Sequence, residues 1–133
     1  MDLDKIFNMV EEEEIDKDLL HFQSSPYYKL SMFTKILLNG LTFQNKIVSM
    51  FERSDEDLDP TSIKEAGIFL LHTRAWYWIS QFELDNDKWI KTLKSFKNDD
   101  LHLLLQKQIS YFESIEEYER CSLLVKIQKY LEE

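Results

Sequence analysis

The chain has 133 residues, 44% hydrophobic and 31% charged, which suits one domain with a real core and excludes a wholly disordered chain. One cysteine excludes a disulfide scaffold and multi-cysteine metal sites, and two glycines exclude Gly-rich phosphate loops and hairpin-rich β folds. A formal charge of −9 argues against broad nucleic-acid binding.

Residues 1–22 hold eight acids and two bases, whereas residues 23–133 hold seventeen and fourteen. The acidity is therefore concentrated at the start, in an N-terminal segment expected to pack loosely on a single helical domain spanning 1–133. Ile6, Met9 and Val10 stand at helical spacing and predict a short helix over 4–14. The next start signal is Ser25-Pro26, an N-cap residue followed by a proline suited to the first helical position. Tyr27, Leu30, Phe33, Ile36 and Leu37 continue it as an apolar stripe. Asn39-Gly40 predicts a stop or kink. Leu41, Phe43, Ile47, Val48 and Phe51 then carry the helical period to about Arg53.

An acidic loop follows, from Ser54 to Pro60. Ser62 with Glu65 reads as a capping box opening a helix that runs to about Leu84. Its stripe is Ile68, Leu71, Ala75, Trp78 and Phe82, and Phe69, Trp76 and Ile79 widen the apolar surface. Such a helix is expected at the centre, with Ile68, Leu71, Trp78 and Phe82 in the core. Asp85-Asn86-Asp87 caps a helix over roughly 87–97, and Asn98-Asp99-Asp100 caps another bearing Leu101, Leu104, Leu105, Ile109 and Phe112. Ser114 with Glu117 reads as a second capping box, before a last helix with Ile115, Tyr118, Leu124, Ile127 and Leu131. No useful stretch alternates with period two. The expected fold is an all-α, compact antiparallel bundle of five to seven helices without a sheet.

The chain begins Met-Asp-Leu-Asp-Lys, which does not read as a secretory signal. The longest strongly apolar stretch, Ala66–Ile79, contains His72 and Arg74 and falls short of the ~20 residues that cross a bilayer. Together with the single Cys121, this predicts a cytoplasmic protein without a transmembrane segment.

Few side-chain patterns point to chemistry. Asp18 precedes His21 by three residues, as Asp99 precedes His102, a spacing that puts each pair on one helix face. Di-metal bundles use Glu-x-x-His on two helices; these pairs use the shorter Asp, and Asp99 has a competing role as a cap. No metal and no cofactor are expected. His72, Arg74 and Tyr77 are candidates for a pocket holding an anionic ligand. Lys88, Lys91, Lys94 and Lys97 make a diffuse basic face opposite Trp89, Leu93 and Phe96. Cys121 reads as a small apolar filler. No hydrolase, Walker A, zincin, EF-hand or Rossmann signature is present.

The leading expectation is a non-catalytic interaction module, such as a regulator, adaptor or inhibitor, that binds another protein. Its expected contact residues are Glu11, Glu12, Glu13, Glu14, Tyr28, Lys88, Trp89 and Lys91, with Trp89 or Tyr28 as an exposed anchor. The alternative is a helical-bundle enzyme or ligand-binding protein that uses the Asp/His pairs or the His72–Arg74 pocket.

Overall fold

A computed structural model describes residues 17–53, 59–96 and 99–133. The helix expected over 4–14 and the Glu11–Glu14 run lie outside the described residues. Residues 17–23 are helical (α1), followed by α2 (Pro26–Glu52), α3 (Pro60–Ile79), α4 (Asp87–Ser95), α5 (Leu101–Ser114) and α6 (Tyr118–Glu132). The described residues contain no strand, and the protein is an all-α helical bundle.

Local chemistry sets the helix ends. Tyr28 N–H donates to Ser25 Oγ at 3.3 Å, and Pro26 opens α2 as expected. Asn86 caps α4 by accepting from Lys88 N–H at 3.0 Å. Two expected capping boxes are absent. α3 begins one turn early, with Asp59 as its N-cap accepting from Thr61 N–H at 3.1 Å and Pro60 in the first turn. Ser62 Oγ instead donates to Asp59 Oδ2. Proline has no N–H to lose there, so Asp-Pro outcompetes the downstream serine. α3 also ends at Ile79, short of Leu84.

At the α5–α6 turn, Ser114 is still helical and donates to Tyr111 O. Glu116 takes a left-handed φ of 63°. Glu117 N–H then donates to Phe112 O at 2.8 Å, and Glu116 N–H to Glu113 O at 3.1 Å. This pair of bonds is a Schellman closure, with glutamate where glycine is usual.

α2 runs unbroken through Asn39-Gly40, contrary to the expected stop. Gly40 serves a close approach instead: a Cβ there would collide with the Leu71 side chain of α3. Gly67 on α3 does the same toward Gln44 of α2. Each helix thus places its one glycine against the other, and α2 and α3 pack as a tight antiparallel hairpin.

α5 and α6 form the second hairpin. The core lies between the two, with Leu30, Phe33 and Leu37 from α2, Leu71, Ala75 and Ile79 from α3, and Leu93 from α4. Leu104, Leu105, Ile109 and Phe112 of α5 and Leu124 and Ile127 of α6 close it. Of the four residues expected in the core, Leu71 and Phe82 are buried, whereas Ile68 and Trp78 are half-buried. The buried stripe of α3 is rotated toward His72, Ala75 and Ile79. Edge-to-face rings tie in the periphery: Tyr28 meets both Phe22 and Trp78, and Trp89 meets Phe82.

Candidate functional site

Three histidines suggested chemistry, and the structure gives them different surroundings: His72 is buried, His21 and His102 exposed. His72 is buried on α3 facing α5. Its Nδ1 lies 2.8 Å from Gln108 Oε1, and Gln108 Nε2 donates back to His72 O at 3.1 Å. An amide oxygen only accepts, so Nδ1 carries the proton of the neutral ring. The ring stacks on Tyr111 at 4.2 Å and 8°. Burial lowers its pKa below 6.5, against a smaller upward pull from Gln108. His72 and Gln108 therefore form a satisfied polar staple between the hairpins.

Beside it, the Arg120 guanidinium lies 5.2 Å from the Phe112 ring and 5.4 Å from the Trp76 ring. Cys121 is buried, with its thiol directed at Ile109 O and its pKa raised by burial and then by the charge of Glu113. A thiol held protonated in this way is a poor nucleophile.

Arg74 and Tyr77 do not share the His72 environment. Arg74 is exposed and lines a groove against α2. Tyr77 is exposed, with its ring edge on Trp78. Arg74 lines that groove, whose described lining includes neither His72 nor Tyr77. His21 is exposed on α1, and His102 is exposed at the start of α5, 3.2 Å from Glu132. Among the described residues, no group of three or more His, Cys, Asp or Glu side chains could hold a metal ion.

The expected partner-contact residues fall into three places. Glu11, Glu12, Glu13 and Glu14 lie outside the described residues. Lys88 and Lys91 are exposed on α4, as is Lys94, while Leu93 on the same helix is buried. Tyr28 and Trp89 are half-buried and engaged with neighbouring rings. Their surfaces are largely committed to the fold, which leaves little for an exposed anchor.

Among the described residues, clefts open on two faces of the bundle. One, about 1300 Å³, lies between residues 82–88 and α6 and mixes Glu83, Asp85 and Asp87 with Lys126 and Lys129. The other, about 630 Å³, lies between α2 and α3. It has apolar walls from Ile36, Phe43 and Leu71 and a rim of Lys35, Lys46 and Arg74. Among the described residues, no carboxylate lines it.

The same hairpin exposes large apolar side chains: Phe43 is 63% accessible, Met50 70% and Leu70 59%. On α2, Ile36, Phe43 and Met50 recur every seven residues, so they share a face. On α3, Leu70, Arg74 and Tyr77 do the same at steps of four and three. Sequence reasoning missed this surface because its two stripes come from separate helices. The alignment of Phe43 with Ile36, one heptad apart, was the available signal.

Comparison with family models, curated proteins and solved structures finds no match to this chain. No described helix is long and apolar enough to cross a membrane.

Proposed function

We propose that the chain is a non-catalytic interaction module that binds another protein through the outer face of the α2–α3 hairpin. The observation that supports this reading is the exposed apolar surface formed by Phe43 and Met50 of α2 and Leu70 of α3. Large apolar side chains exposed on one hairpin are favoured where a partner covers them. The polar groups nearest to chemistry, His72 and Gln108, already satisfy one another inside the core.

The Lys88–Lys91 face of α4 acts at longer range, steering the encounter rather than holding the complex. Affinity comes from the apolar anchors. This moves the anchor from Trp89 and Tyr28, which are engaged in ring contacts, to Phe43 and Leu70.

Site-specific photo-crosslinking in native cells tests the reading. A benzoylphenylalanine placed at position 43 or 70 should yield one discrete protein adduct. The same group at Lys129, on α6, should not yield that adduct. Equal labelling from all three positions, or none from 43 and 70, would refute the α2–α3 face as a binding surface.

A further inference from the structure

We propose that the groove between α2 and α3 receives an acidic amphipathic helix from a different protein. This rests on the interaction reading above and specifies its partner's chemistry. The groove pairs an apolar floor, Ile36, Phe43 and Leu71, with three cations, Lys35, Lys46 and Arg74. In a chain of sixteen basic and twenty-five acidic residues, a groove with three cations and no carboxylate among its described lining is a local inversion of charge.

The geometry favours a helix as occupant. Both walls are helices whose backbone groups are bonded internally, so they offer no strand edge to an extended peptide. A trough between two antiparallel helices accepts the side-chain ridge of a third. Lys35 and Lys46 are separated by roughly 16 Å along α2, which matches about three turns of a docked helix. That helix would place apolar residues at i, i+3 or i+4, and i+7 on Ile36, Phe43 and Leu71. Its carboxylates would flank the stripe and meet the rim.

The charge pattern also selects against a second copy of this chain. A two-fold contact through one groove would set Lys35, Lys46 and Arg74 against themselves. The protein's overall negative charge opposes an acidic partner only weakly at contact distance, because salt screens charges beyond about 8 Å. The rim cations act inside that range. The groove's polar lining and the core use different sides of α2: Phe33 and Leu37 lie roughly 120–160° from Lys35 and Asn39 at 100° per residue, while Ile36 and Leu71 of the floor form the outer margin of the core. A docked helix would therefore rest on the outer margin of the core, with Phe33 and Leu37 behind it.

The test uses the full chain and two fluorescein-labelled 18-residue helical peptides, read by fluorescence anisotropy. Both carry leucines at i, i+3 and i+7; one is flanked by glutamates, the other by lysines. The glutamate peptide should bind roughly tenfold more tightly at low salt, since exposed ion pairs contribute about two- to fivefold each. The difference should shrink as salt rises. The Lys46→Glu/Arg74→Glu double variant should reverse the preference while leaving Tm unchanged, and Phe43→Ser should weaken both peptides.

Equal affinity for the two peptides, or a preference that survives the double reversal, would overturn the proposal. So would a concentration-dependent dimer lost on Phe43→Ser, which would assign the groove to a second copy. Tighter peptide binding after Glu11–Glu14 are all changed to Gln would assign it to the chain's own acidic run. Preference for an oligothymidylate over the glutamate peptide would assign it to nucleic acid. If these peptides fail while crosslinks from positions 43 and 70 persist, the partner chemistry is wrong and the interaction reading stands. If the crosslinks fail too, both fall.

Discussion

Glu116 shows how a single backbone angle can store instability. It holds a φ of 63°, where an L side chain crowds its own backbone, so that α5 can close and α6 can begin. Glycine relieves that strain, although it adds some entropy to the unfolded chain. Glu116→Gly should therefore stabilise the protein by about 1 kcal/mol, seen as a higher urea midpoint with an unchanged m-value. A destabilised variant would mean that the carboxylate makes a compensating contact. This position was not readable from the sequence, because Ile115-Glu116-Glu117 contains none of the residues that normally mark a left-handed cap. Ser25 and Asn86 were readable, because there the capping side chain and the helix it starts are adjacent in sequence. Ser62 was misread for a related reason: two cap candidates lay within one turn, and Asp59 with Pro60 won.

Between elements, the informative join is the His72–Gln108 pair linking α3 to α5. The helical class was clear from the periodic stripes, but the choice of buried face on α3 was not. That helix is apolar over much of its circumference, and the face that won includes a histidine satisfied only by a glutamine 36 residues away. Trp78 and Ile68 were consequently displaced from the core to its margin. The join also carries a pH dependence. Burial holds the folded-state pKa of His72 below 6.5. As pH falls through 6.5, the unfolded chain takes up this proton before the folded chain does, so stability declines. The contribution is complete above 6.5 and is lost toward the lower folded-state value. Thermal melts between pH 7.5 and 5.5 should show a falling Tm for the wild type and a shallower fall for His72→Gln. The exposed His21 and His102 remain in both proteins, so the difference isolates His72. Parallel slopes would show that His72 titrates alike in both states.

For the whole molecule, two opposing properties meet at the surface. The formal charge of −9 keeps copies apart at neutral pH, whereas Phe43, Met50 and Leu70 expose apolar area on one hairpin. The balance between them follows from their different ranges. Charge repulsion acts over about 8 Å at physiological salt, before contact, while apolar attraction operates only on contact. Removing net charge should therefore release association without any change in the contacts themselves. The chain reaches neutrality near pH 4.8. Light scattering should rise as pH approaches that value and fall again beyond it on the acidic side. The triple variant Phe43→Gln, Met50→Gln and Leu70→Gln leaves the net charge unchanged, so its isoelectric point is the same. It should scatter markedly less at pH 4.8 if the hairpin face is the contact surface. Far-UV circular dichroism at the same pH distinguishes association of folded chains from acid unfolding: helicity should persist in both proteins. Equal scattering by wild type and variant, with helicity retained, would place the self-associating surface elsewhere, on α1 or the α5–α6 hairpin, where Leu20 and Leu103 are also exposed.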